Sequence, residues 1–297
     1  MSDKGDQDTH TEPKHSTNKK HYLKDSAQQI ASMAQRHHLD HLLKAANEES
    51  EAPLQRLQKR LQKRQELRQK NLEHVVKFAH SVCQNETATQ ELDQDWLYRF
   101  FDFAQDVHNQ AMQKLWALVL KKEIINPGTI SLKTMKALYD MSPKEAQMVQ
   151  RAATLSCYFG GDTGRKLLLG YQSQGGFFRL GKRKISAHLN TSSFQLPYSN
   201  LLILVELGIL HATELESGEI DQSAPLVIQY QDDTLSLQAT QKGVRLVYYR
   251  FTPVGNELCH LLGNKKNAKY LEQLTDMLHH KFQLTTAPAK TNVDHKV

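Results

Sequence analysis

INPGTISLKTMKALYDMSPKEAQ, residues 125–147, is dense in signals for where helices stop and start. Pro127-Gly128 predicts a turn that ends the preceding helix. Ser131 stands just before an apolar repeat and predicts an N-cap for a short helix, Leu132 to Tyr139. Ser142, Pro143 and Glu145 have capping-box spacing with proline at the first helical position. The helix they start is expected to reach about Tyr158. The stretch carries no obvious nucleophile, metal cluster or phosphate loop. Its residues are spent on placing three helices.

Upstream, Trp96, Phe100, Phe103, Val107, Ala111, Leu115, Leu118 and Val119 fall at helical spacing. One helix capped by Asp93 and running to about Asn126 is expected, its aromatic stripe facing a core. Pro53 opens a long helix to about Cys83. Its first half, PLQRLQKRLQKRQELRQK, reads as a charged rod, and its second half, with Leu72, Val75, Val76 and Ala79, as a packed element. Asp25 and Gln28 have capping-box spacing for an earlier helix. Residues 1–22 are polar and nearly free of aliphatics, so they are expected to be disordered, as is 285–297.

Downstream of Phe159 the texture changes. Glycines cluster, and KLLLGY and GFFRLG read as short strands. PYSNLLILVELGIL reads as a helix from Pro197 to Gly208. PLVIQYQDDTLSLQA and GVRLVYYRFT read as two or three antiparallel strands. Helices from Pro253 to about Leu262 and from Ala268 to Phe282 complete the chain. The domain expectation is a helical domain over 23–160 and a smaller α+β domain over 161–284.

The 297 residues hold 38 Lys and Arg against 32 Asp and Glu, a formal net charge of +6. That mild excess permits an acidic partner or nucleic acid and requires neither. No apolar run approaches the ~18 residues needed to span a bilayer, and the polar N-terminus has no secretory h-region. A cytoplasmic protein without a membrane partner is expected. The three cysteines, Cys83, Cys157 and Cys259, lie far apart with no CxxC, so buried free thiols are expected.

Arg56, Arg60, Arg64 and Arg68 recur every four residues, joined by Lys59 and Lys63. Such a stripe faces phosphate or an acidic surface, or is a solvated face. Arg179, Lys182, Arg183 and Lys184 form a second basic cluster. In RHHLDH, His37 and His41 sit at i,i+4, but no third ligand is evident and HExxH is absent, so ordinary histidines are expected. FGGDTGRK, residues 159–166, lacks the spacing and hydroxyl of a P-loop. Its Asp162-Thr163-Gly164 matches the aspartic-protease triplet only in letters, with no apolar strand before it. No GxSxG elbow exists. No catalytic residue, metal or cofactor is assigned.

The helix ending at Gly208, the strands after it, and Phe251, Thr252, Gly255 and Leu258 in an F-T-x-x-G-x-x-L return resemble a winged-helix ending. The helix that would read DNA, Tyr198 to Leu207, holds Glu206 but no Lys or Arg, which argues against duplex readout. DQDWLYRFFDFAQDV, MQKLWALVLKKE and NPGTISLKTMKALYDMSPKEA resemble a bacterial family, the domain of unknown function 2806 group. The resemblance implies a helical core followed by a winged-helix-like domain, and no activity. The fold expected is therefore mainly α, an N-terminal helical bundle before a winged-helix-like part with a short antiparallel sheet. The function expected is a non-enzymatic interaction or regulatory protein that docks a protein partner through the winged part and the basic helix. The alternative is nucleic-acid binding by the two basic clusters. Leu54, Leu57 and Leu61 at a/d-like spacing make a homo-oligomer plausible.

Overall fold

The computed structural model describes residues 25–44, 51–83, 86–87, 90–174, 184–263 and 265–288. The chain divides into two compact units, Met1–Glu66 and Leu67–Val297.

In the first unit, α1 (Ser26–Arg36) starts at Asp25, whose carboxylate accepts the Ala27 N–H. A 3-10 turn follows at His41–Leu43. The long helix α2 spans Pro53–Val82, so its part up to Glu66 belongs to this unit and the rest to the second. Among the described residues of 25–66, Ala34 alone is buried.

The second unit packs helices α3 (Gln94–Ala104), α4 (Gln110–Ile125), α5 (Leu132–Asp140) and α6 (Pro143–Thr154). Trp96 stacks on Phe100 at 5.4 Å, and Phe100 meets the edge of Trp116 at 5.5 Å. The single tryptophan helix expected from periodicity is two helices. The Asn109 side chain accepts the Ala111 and Met112 N–H groups and starts a new helix, which breaks the old one after Ala104. Ser131 and Ser142 cap α5 and α6 as expected, the second as a full capping box.

Helix α6 stops at Thr154, short of Tyr158. Ser156–Phe159 is instead strand β1, paired with Lys166 and Leu167 across the next turn and with Ile228 and Gln229 far along the chain. The strands that follow are β2 (Lys166–Gln174), β3 (Lys184–His188), β4 (Leu215–Glu216), β5 (Leu226–Tyr230), β6 (Asp233–Ala239), β7 (Val244–Arg250) and β8 (Phe282–Pro288). They form one antiparallel sheet of eight strands in the order β4-β7-β2-β1-β5-β6-β8, with β3 also on β2. The sheet is thus larger than expected, since it joins KLLLGY and the two or three later strands read from the sequence to β1, β3, β4 and β8, which the sequence pattern does not mark as strands. Ser156 and Cys157 of β1 pair with β2, while Tyr158 and Phe159 pair with β5, so this short strand ties the halves together. Beyond β1 the same edge of β2 takes β3, and a bulge between Leu168 and Gly170 marks the exchange. A Cβ on Gly170 would stand 1.9 Å from the Ala187 carbonyl oxygen, so glycine is required there.

Helices α7 (Tyr198–Glu206), α8 (Pro253–Leu262) and α9 (Ala268–His279) complete the unit. The last helix ends at His279, and Phe282 starts a strand. Thr285 to Ala287, expected in a disordered tail, pair with β6 instead. The proposed strand GFFRLG and residues 1–22 and 289–297 lie outside the described residues. Among the described residues no helix is long and apolar enough to cross a membrane.

Candidate functional site

The basic stripe of α2 is less uniform than its spacing. Arg56 donates to the Glu51 carbonyl oxygen, and Lys59 pairs with the Glu51 carboxylate. Lys63 Nζ donates to the Arg36 carbonyl at the end of α1, at 3.0 Å. Arg68 grips Asp106 with two bonds, Nε to Oδ1 at 2.8 Å and an η nitrogen to Oδ2 at 2.9 Å. Arg60 and Arg64 are exposed on the helix. Of the second cluster, Arg179, Lys182 and Arg183 lie outside the described residues, and Lys184 opens β3.

At about 100° per residue, Leu54, Leu57 and Leu61 share one stripe roughly 60° wide. They are 64%, 40% and 46% exposed. Arg60 and Arg64 border the stripe on one side. Arg56 and Lys63, which meet Glu51 and α1, lie on the opposite side of the helix. From Leu72 onward the same stripe is core: Val75 and Ala79 are buried. There Asn71 bonds the Gln105 carbonyl, and Gln113 of α4 bonds Asn71.

The glycine-rich stretch is a hairpin between β1 and β2. Gly160 and Gly161 turn it at φ of 78° and 76°. Lys166 is 3% exposed, and its ammonium donates to Phe159 O, Asp162 Oδ1 and Gly164 O at 2.8, 2.9 and 3.1 Å. Those three acceptors use its three donors. Desolvation pulls the Asp162 carboxyl up, but Lys166 and the Gly164 N–H outweigh it and hold the group below its ordinary value. Asp162 is thus a staple for the turn. Beside it opens a cavity of about 380 Å³, between the hairpin, segment 217–226 and Tyr248.

Arg165, next to the staple, is 9% exposed. It donates to Ser156 Oγ at 2.8 Å and lies 4.8 Å over the Tyr158 ring. The Cβ position that Gly263 leaves empty is 3.4 Å from its Nη1, 3.1 Å from Ala153 O and 2.5 Å from Cys259 O. The guanidinium therefore sits beside the last turns of α6 and α8, where helix dipoles favour a cation. Among the described residues its Nε has no partner. Tyr158 and His260 meet at 3.3 Å. Burial pushes the Cys157 and Cys259 thiols up to about 12, so neither is a ready nucleophile.

Sequence reasoning missed Glu123. Its buried carboxylate accepts the Gly128 and Ile130 N–H groups at 2.5 and 2.9 Å. Trp96 Nε1 donates to Ile130 O at 2.8 Å, and Ser131 N–H donates to Glu257 on α8 at 2.7 Å. Gly128, Ile130 and Ser131 of the 125–147 stretch thus meet in one structural node. In RHHLDH, His38, Asp40 and His41 border a polar cavity of about 300 Å³ with Lys44, Glu51 and Arg56. Asp40 is paired with Lys44 at 3.2 Å. Among the described residues no group of three His, Cys, Asp or Glu is placed to hold a metal.

Helix α7 exposes Tyr198 and Leu202, one turn apart, and carries no Lys or Arg. Its neighbour α8 is tied to it at the F-T-x-x-G return. Thr252 caps α8 and its hydroxyl donates to Gly208 O. A Cβ on Gly255 would lie 2.2 Å from Ile209 O.

These features define an α+β protein in which helices lead into an antiparallel sheet and polar side chains are largely consumed by turns and helix ends. The chain belongs to the family described as protein of unknown function (DUF2806), whose sequence model matches residues 55–275. No curated protein and no solved structure matches the chain.

Proposed function

We propose that this is a non-enzymatic interaction or regulatory protein of the cytoplasm that docks a protein partner through the N-terminal half of α2. The observation that carries the reading is the exposure of large apolar side chains in the first unit. Leu54, Leu57 and Leu61 share one face of α2, and Ile30 and Met33 lie one turn apart on α1, all exposed. Ala34 is the sole buried residue described there. Exposed apolar surface of this kind marks an interaction face.

The winged-helix-like reading of α7, β7 and α8 belongs to the same proposal, as a second contact. An exposed Tyr198 and Leu202 without a cation favour a protein surface over a DNA groove. The nucleic-acid alternative is weakened in α2, where Arg56, Lys59, Lys63 and Arg68 are engaged by the chain's own groups. The non-enzymatic part rests on Lys166, Asp162 and Glu123, which are committed to turns.

The test is capture from native lysate, with and without nuclease, using the wild-type chain and Leu57→Asp. A partner that survives nuclease and is lost with Leu57→Asp supports the reading. Capture that nuclease abolishes, with binding to random DNA that weakens steeply with salt, overturns it in favour of nucleic acid.

A further inference from the structure

We infer that the open stripe of α2 takes an acidic amphipathic helix, which lays its apolar face on Leu54, Leu57 and Leu61 and sets its carboxylates against Arg60 and Arg64. This inference rests on the docking reading above and names the partner's chemistry.

The helical form of the occupant follows from α2 itself. Further along the same stripe, Val75 and Ala79 are buried where α3 and α4 pack beside α2. A face that accepts helices at one end has the ridge spacing to accept one at the other. The apolar positions of the open end step by three and four residues, the spacing a partner helix reads as anchors.

The acidic character follows from charge. Between Pro53 and Glu66 the helix carries Arg56, Lys59, Arg60, Lys63 and Arg64 against Glu66 alone. The cations that border the leucines are Arg60 and Arg64, both exposed. Carboxylates flanking an apolar seam complement that edge and fix the register. A second copy of this chain would bring like charges together along the seam, which is penalised. Phosphate backbones offer nothing to three leucines.

The test uses the full chain and two synthetic peptides of about 20 residues, long enough to be helical once bound. Both have leucine at a and d positions. One carries glutamate at the flanking positions and the other lysine. The glutamate peptide is expected to bind and the lysine peptide not to. Leu57→Asp abolishes binding, whereas Arg60→Glu with Arg64→Glu reverses the preference, so that the lysine peptide now binds. Circular dichroism checks that the variants keep their helix content. Equal binding of both peptides, or a preference that survives the charge reversal, overturns the inference. So does concentration-dependent dimerisation lost with Leu57→Asp, which would assign the stripe to a second copy. If neither peptide binds while Leu57→Asp still empties the lysate capture, the docking reading stands and the acidic helix falls. If that capture is unchanged as well, both fall.

Discussion

The Glu123 carboxylate, at the end of α4, accepts the backbone N–H of Ile130 at 2.9 Å. Seven residues separate them in sequence, and the turn between is Pro127-Gly128. The Gly128 N–H goes to the same carboxylate, and Trp96 holds the Ile130 carbonyl from the other side. A buried carboxylate that accepts two backbone donors fixes the exit from α4 and hence the start of α5. Removing it strands the N–H of buried Ile130, a penalty of about 1–3 kcal/mol, whereas the N–H of exposed Gly128 can turn to water. Glu123→Ala is expected to lower the urea midpoint strongly, and Glu123→Gln, which keeps one acceptor oxygen, to lower it less. Equal midpoints for wild type and Glu123→Ala would remove the node from the account of the fold.

This node also shows where the sequence can and cannot be read. The caps at Ser131 and Ser142 are local, set by residues within one turn, and both were legible. Glu123 was not, because a glutamate at the end of a helix reads as solvated until the following loop is seen to fold over it. The break at Asn109 was hidden because apolar spacing continues across it, from Phe103 through Val107 to Ala111. Ser156 to Tyr158 reads as the end of a helix because what makes it a strand is pairing outside the segment, with Leu167 across the next turn and with distant Gln229. In the basic stripe, spacing revealed the shared row of cations but not which of them meet Glu51, Arg36 or Asp106.

The close approach at Gly255 gives a prediction for the α7–α8 junction. A Cβ there would stand 2.2 Å from Ile209 O, a backbone atom that cannot swing aside. Thr252 N–H also donates to Ile209 O, so the junction has no slack. Gly255→Ala is expected to destabilise the chain by roughly 1–3 kcal/mol through overpacking. Thermal unfolding measures it, and an unchanged midpoint would show that the helices separate freely.

The thiols should differ in reactivity. Cys157 and Cys259 are buried with pKa values pushed up to about 12, whereas Cys83 is half-buried. At pH 8 a pKa near 12 leaves a thiolate fraction of about one in ten thousand. A thiol-reactive dye should therefore label Cys83 alone in the native chain, and all three cysteines in denaturant. Rapid native labelling of Cys259 would reopen a nucleophilic role.

His260 carries a pH dependence whose sign is set by its surroundings. Desolvation of the ring, then the nearby Arg165 and Lys122 charges, push its pKa below the ordinary 6.5. The unfolded chain thus binds a proton that the folded chain refuses. Its contribution is present above the unfolded value and is lost as pH falls from there toward the lower folded one. The midpoint of thermal unfolding should fall more between pH 7.5 and 5.5 for wild type than for His260→Gln (pH values about one unit either side of the ordinary histidine pKa). An equal fall in both would assign the dependence to other histidines.

Arg60 and Arg68 look alike in sequence, two arginines on one helix, and should behave oppositely. Arg68 holds Asp106 through two short bonds in a partly buried setting, with side chains 21% and 26% exposed. A bidentate pair there outperforms a surface ion pair, because its geometry is fixed and water is partly excluded. Arg68→Ala and Asp106→Ala should each destabilise by about 1–2 kcal/mol, and the double variant by less than their sum. Arg60→Ala should fall within about 0.5 kcal/mol of wild type, as exposed surface changes do. The same Arg60→Ala should weaken binding of the glutamate peptide, whereas Arg68→Ala should leave it unchanged once the chain is folded. Urea unfolding and peptide titration on the three single variants separate these roles. An Arg68 variant that keeps its stability but loses the peptide would return Arg68 to the docking surface.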